Sequence, residues 1–179
     1  TSFDTSQVTD MQFMFCTTNV RILDLHSFDT RKVVSMNSMF QGNYYLNSID
    51  LSSFNTSKVI DMFNMFQDCP NIVILDISKF DTSSVTDMGS MFANTRITSL
   101  DLTHFNTENV KDMSYMFASC SDLTYTNLSK FNTSKVTDFS GMFSTCKNLK
   151  SINFKSFDAS NVMDLSYMFA EMWYLESLD

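Results

Sequence analysis

The chain has 179 residues, of which 44% are hydrophobic, 14% aromatic and 18% charged, and its formal net charge is −8. That is enough apolar material for a core, so bulk disorder is excluded. Three glycines and one proline exclude collagen-like and linker sequences. The acidic balance, with scattered lysines, argues against nucleic-acid binding, which is driven by phosphate neutralisation, and no apolar run approaches the roughly 18 residues of a membrane-spanning helix.

Aspartate outnumbers glutamate 17 to 3, and phenylalanine (18) and methionine (14) are far above ordinary usage. A repeat accounts for all three biases. The segment that opens Phe3-Asp4-Thr5-Ser6 recurs at Phe28, Phe54, Phe80, Phe105, Phe131 and Phe157, at spacings of 25 or 26 residues. Six full units and a shortened seventh cover the chain as a single solenoid domain. The consensus is F-[DN]-T-S-x-V-x-D-M-x-x-M-F-x-x-C-x-x-L-x-x-L-D-L-S-x. The chain opens at Thr1-Ser2-Phe3 and stops at Leu178-Asp179, and is expected to be a fragment of a longer one.

Within each unit the elements follow in a fixed order. The opening Phe and [DN]-T-S predict a turn in which short polar side chains bond the backbone. The Val opens a second short strand. The Asp after it (Asp10, Asp61, Asp87, Asp112, Asp138, Asp164, with Ser35 in the second unit) is a candidate cap for one helical turn over M-x-x-M-F. Two Met columns and the Phe column from Phe15 to Phe169 keep one bulky type in nearly every unit, which marks stacked core positions. The stretch L-x-x-L-D-L alternates like a half-buried strand. Seven such strands about 4.8 Å apart would form one parallel sheet on the order of 35 Å long. Units one and four are a residue short between the Met-Phe turn and the strand, where a turn absorbs the change.

These motifs resemble the 26-residue bacterial surface protein repeat of the BspA-like leucine-rich-repeat family. Residues 105–117 and 157–169 are near matches to F-D-T-S-N-V-T-D-M-S-Y-M-F, and the resemblance covers the whole chain. It implies an α/β repeat fold, a leucine-rich-repeat-like right-handed solenoid with a parallel sheet on one face and helical turns on the other. It also implies a secreted or anchored surface protein linked to adhesion, and no common catalytic activity.

Few residues carry chemistry on their own. The strands place Asp24, Asp50, Asp76, Asp101, Asn127, Asn153 and Asp179 in one outward column. Carboxylates about 5 Å apart repel by roughly 1 kcal/mol in a water-like dielectric, so solvent, nearby hydroxyls (Ser52, Ser78, Thr103), a cation or a basic partner must offset them. The other outward strand positions vary: Arg21 and Ile22, Val73 and Ile74, Tyr125, Lys150, Lys155 and Glu176. A fixed frame with variable side chains on one face is how solenoids build binding surfaces. The Thr column from Thr5 to Thr133 is read as turn-stabilising. Cys69, Cys120 and Cys146 share a column and are read as buried free thiols, with a Cys120–Cys146 bridge as the alternative. His26 and His104 form no pair, no zinc-type Cys/His cluster exists, and no nucleophile motif appears, so neither catalysis nor a cofactor or metal is expected.

The expected function is recognition of a host or matrix protein or glycan at an extracellular cell surface. The candidate binding residues are Arg21, Asp24, Asp50, Asp76, Asp101, Tyr125, Asn127, Lys150 and Asn153. The alternative is a structural spacer or assembly scaffold, for which the free thiols suit an intracellular setting. Uncapped solenoid ends invite end-to-end contact with flanking repeats or another subunit, and Trp173 and Tyr174 are candidates for the start of a cap.

Overall fold

A computed structural model describes residues 3–178. Each unit forms one coil of a solenoid, and every coil has three corners at which an Asx side chain accepts the N–H group two residues on. At the first corner Asp4 Oδ1 accepts from Ser6 (2.9 Å), and Asp29, Asn55, Asp81, Asn106, Asn132 and Asp158 repeat the contact. At the second, Asp10, Asp61, Asp87, Asp112, Asp138 and Asp164 do the same, with Ser35 Oγ in coil two. At the third, the column from Asp24 to Asn153 serves; Asp179 lies outside the described residues. Only Asp68 and Asp122 stand outside these columns. The geometry needs an oxygen one methylene from the backbone, which is why the acid is aspartate and not glutamate.

The Thr column bonds between coils as well as within them. Thr56 Oγ1 donates to the Asp81 carbonyl (2.9 Å) and accepts the Asp81 N–H (2.8 Å). Thr5, Thr30, Thr82, Thr107 and Thr133 make the same double bond to the next coil. All six are buried. A hydroxyl, at once donor and acceptor, satisfies both orphan groups of that corner.

The turn side differs from its expectation. No helix occurs among the described residues; M-x-x-M-F runs as successive tight turns. The residue before the second Met (Phe13, Ser38, Asn64, Ser90, Tyr115, Gly141, Tyr167) has φ between 53° and 59°. A second left-handed column follows four residues later, from Thr17 to Glu171. Such residues cost roughly 1–2 kcal/mol each outside glycine, and they break any right-handed helical turn. What holds them is bonding across coils. The N–H groups of Met36, Ser38, Phe40 and Gly42 donate to Asp61, Phe63, Met65 and Gln67, and coils three to six repeat this. A helix would have used those N–H groups internally. Parallel bridges run unbroken from Asp10 through Ser35, Asp61, Asp87, Asp112 and Asp138 to Asp164. Gly141 takes its φ of 59° without strain, and a Cβ there would collide with the Tyr115 ring.

The strand side is discontinuous. β1 (Ile22–Asp24) pairs in parallel with β2 (Ser48–Asp50), β3 (Ser99–Leu100) with β4 (Tyr125–Thr126), and β5 (Ser151–Ile152) with β6 (Ser177–Leu178). Residues 72–76 of coil three join no strand, so the single seven-stranded sheet expected from sequence is three separate pairs. The turn-side ladder and the Thr clamps already set the coil spacing. On the exposed strand side, water replaces a missing ladder bond at little cost.

Between the two sides lies one core. Met36, Met62, Met88, Met113, Phe139 and the second Met column from Met39 to Met142 are buried, as are Val33, Val59, Val85, Val110 and Val136. The rings of Phe15, Phe40, Phe66, Phe92, Phe117, Phe143 and Phe169 stack with centroids 5.5–6.4 Å apart and planes within 14°. That separation exceeds the coil spacing, so the rings are offset, the arrangement their quadrupoles favour. In full-length coils C-x-x-L closes a tight turn, as in Leu46 N–H to Asn43 C=O; coils one and four lack that turn, which is where their missing residue went.

A candidate recognition face on the strand side

The chemistry-bearing side chains divide by side. The buried thiols are structural. Cys69 Sγ donates to Phe40 C=O (3.1 Å), Cys120 to Phe92 C=O (3.1 Å) and Cys146 to Phe117 C=O (2.9 Å), each in the preceding coil. Asn43 fills the same place in coil two and donates to Phe15 C=O. In coils two, three, five and six the column holds a donor, and apolar packing alone does not describe it there. All four cysteines are free. Burial pushes the Cys69 thiol up to about 12, that of Cys120 to about 11, and that of Cys146 in the same direction, so none of these three is a nucleophile near neutrality.

The second-corner carboxylates line the turn side. Burial pushes Asp87 up to about 6, with Asp112 and Asp61 adding repulsion. Asp164 at the end of that column is instead held low by its bonds from Ser166, and the strand-side carboxylates follow Asp164. Bonds from Ser52, Ser78 and Thr103 hold Asp50, Asp76 and Asp101 below the usual range, and a bond from His26 does so for Asp24. The residues named from sequence thus offset the repulsion, through the backbone N–H groups of Ser52, Ser78 and Thr103 and the Thr103 hydroxyl. His26 Nδ1 sits 2.6 Å from Asp24 Oδ1, and this bond raises the histidine's pKa. His104 Nε2 lies 3.0 Å from Ile77 C=O.

Asp24, Asp50, Asp76 and Asp101 are exposed in one column, and half-buried Asn127 and exposed Asn153 continue it. Asp24 lies directly opposite Asp50 in the register of β1 and β2. Beside them runs a second outward column: Ile22, Ser48, Ile74, Ser99, Tyr125, Ser151 and Ser177. Its Ile22, Ile74 and Tyr125 are 68%, 86% and 62% exposed. Arg21 is exposed at the edge of β1. Lys150 pairs with Glu176 across β5 and β6 at 3.4 Å. The structure therefore gathers the sequence-predicted residues on one side of the solenoid, strung along its axis and not converging on a pocket. A shallow hollow of about 360 Å³ lies at Ser99, Asp101, Tyr125 and Asn127.

Sequence reasoning missed Tyr44 and Tyr45, both more than half exposed at the edge where the turn enters β2. Their signal was departure from the repeat, since other units place Pro70-Asn71 or Ser121-Asp122 there. Trp173 occupies the same column in the last coil, with Lys147 Nζ 4.9 Å from its ring centroid.

The model of a protein family described as "Mycoplasma protein of unknown function, DUF285" matches residues 1–96 and 71–177. The chain belongs to that family. The two matches overlap over residues 71–96. No curated protein matches the chain. Among solved structures, it is similar to a leucine-rich repeat protein from Bacteroides ovatus ATCC 8483, with 20% identity and a TM-score of 0.56. The match covers 89% of this chain and 41% of that protein. At that identity the likeness shows the fold: this DUF285 chain is a leucine-rich-repeat-like solenoid.

Proposed function

We propose that this chain is a non-enzymatic recognition module of a cell-surface protein, of the BspA-like type, which binds a host or matrix partner through its strand face. The observation that carries the reading is the division of labour between the two sides. The bonds that hold coil to coil without a break lie on the turn side and at the Thr corner, whereas the strand side adds only three short, separate pairs. Ile22, Ile74 and Tyr125 on the strand side are exposed and serve no fold role there. A frame that does not depend on its outward residues leaves them free to vary with the partner. The non-catalytic reading rests on how the reactive groups are used, with thiols buried as donors and carboxylates tied into turns.

A scaffold role is the second reading, favoured by the unbroken ladder from Asp10 to Asp164, which suits a stiff spacer, and by the buried free thiols. Two measurements separate them. Protease shaving of intact source cells should release peptides such as residues 97–111; release only after lysis contradicts surface display. Beads carrying the chain should adhere to immobilised matrix or host protein, and a triple Ile22→Ser, Ile74→Ser, Tyr125→Ser variant of unchanged melting temperature should not. Equal adhesion by both would leave the spacer as the account.

A further inference from the structure

The outward column of the strand face has a period. Over coils one to six, large apolar side chains stand in coils one, three and five (Ile22, Ile74, Tyr125) and serines in coils two, four and six (Ser48, Ser99, Ser151); Ser177 in coil seven ends the alternation. Strand pairing sets Ile22 opposite Ser48 and Ser99 opposite Tyr125, and Ile74 holds the equivalent place in coil three, two residues before Asp76. At about 4.8 Å per coil the pegs repeat every ~9.6 Å and span ~19 Å from Ile22 to Tyr125. Few regular chains share that repeat. A β-strand returns to the same face every ~6.7 Å. An α-helix returns every ~5.4 Å. A polyproline II segment has three residues per turn and rises 3.1 Å per residue, so it repeats every ~9.3 Å and covers ~18.6 Å in six residues. It also needs no backbone partner, which matters because Ile74 lies in a stretch that joins no strand.

The charge beside the pegs specifies the rest of the partner. Asp24, Asp50, Asp76 and Asp101 flank the first four coils, each with Oδ1 engaged in its own turn. Their low pKa values keep them ionised at neutral pH. In coils five and six the column changes to Asn127 and Asn153, with Lys155 beside them. The face is thus acidic at one end only, and the chain as a whole carries −8.

We propose that the strand face binds an extended, basic, proline-rich segment of another protein in the polyproline II conformation. Every third residue of that segment is apolar and seats over Ser48 and Ser99 between the pegs, where the hollow at Ser99 already lies. Lysines or arginines between them lie over the carboxylates of coils one to four, which also fixes the direction in which the segment binds. The proposal rests on the recognition reading above and names its partner class.

The test uses the full chain and two fluorescein-labelled peptides, a (Leu-Pro-Lys)5 repeat and a scrambled peptide of identical composition, titrated by fluorescence anisotropy. The periodic peptide should bind about tenfold more tightly than the scrambled one, a difference of about 1.4 kcal/mol. Ile74→Ser and Tyr125→Ser should each remove that preference. Asp50→Asn with Asp76→Asn should weaken both peptides alike and flatten the salt dependence. Equal binding of the two peptides overturns the proposal, because charge alone then accounts for it, and so does no binding of either. Neither result touches the recognition reading, which stands or falls on the bead-adhesion comparison of the triple variant. Unchanged melting temperatures of the variants show that lost binding is not lost folding.

Discussion

The two sides of the solenoid are built from the same repeat yet bond differently. On the turn side each coil donates at least four backbone N–H groups to the next, and the bridge ladder has no gap over the described residues. On the strand side the pairing breaks twice around coil three and again between coils five and six. The turn side accepts left-handed φ at Phe13, Asn64 and Tyr115 to gain those bonds; the strand side accepts missing bonds in return for nothing structural. Cohesion and display are therefore carried by separate surfaces, and a change on one should leave the other intact.

The sharpest way to break that comparison is to cut one core residue and one face residue. Phe92 sits inside the ring stack between Phe66 and Phe117 and is fully buried. Phe92→Ala should cost about 3–5 kcal/mol in denaturant unfolding, whereas Ile74→Ser should stay within about 0.5 kcal/mol. Comparable losses at both positions would show that the strand face carries the fold after all.

Next in size is the Thr clamp. Thr107→Val keeps the shape but removes the hydroxyl that bonds both the Asn132 carbonyl and N–H at 3.0 and 2.8 Å. Leaving two backbone groups unpaired should cost about 1–3 kcal/mol, measured as the shift in urea midpoint. Thr126 makes the opposite case. It occupies an inward strand position that Leu100 and Ile152 fill in neighbouring coils, is 8% exposed, and its Oγ1 has no hydrogen-bond partner. Thr126→Val should stabilise the protein by about 1 kcal/mol.

The smallest effect is in the pH profile of the turn side. Asp87 has a folded pKa of about 6 against 3.8 in the unfolded chain. The protonated form favours the folded state, so its contribution is complete below about pH 4 and is lost as pH rises through 6. Asp87→Asn keeps an acceptor for the Gly89 N–H and removes the titration. Its melting temperature should match that of the wild type near pH 4 and exceed it above pH 6.5. A constant offset across that range would rule out this carboxyl as the titrating group.

Much of this was legible in the sequence because columns report burial directly. The Phe15-to-Phe169 series and the two Met series named the core of the inner coils, while Met14 and Leu165 in the end coils are exposed, and the Asp and Asn residues announced their turns. The turn conformation was not legible. Met and Met three residues apart read as one helical face, and phenylalanine and tyrosine at Phe13 and Tyr115 give no hint of positive φ. Gly42 and Gly141, one in each left-handed column, were the available signal. The strand break was hidden for a different reason. Ile72-Val73-Ile74-Leu75 is the most strand-prone segment of the chain, yet it pairs with nothing, because packing and coil spacing set elsewhere decide pairing. The face itself was legible as a column; the alternation of pegs and serines became meaningful once the register placed them opposite one another.

Native-state amide hydrogen exchange tests the division of labour most directly. The account predicts the slowest exchange at the turn-side donors of the central coils, such as Met62, Phe66, Met88 and Phe92, and rapid exchange at Val73, Ile74 and Leu75. Equal protection on both sides of the solenoid would contradict it.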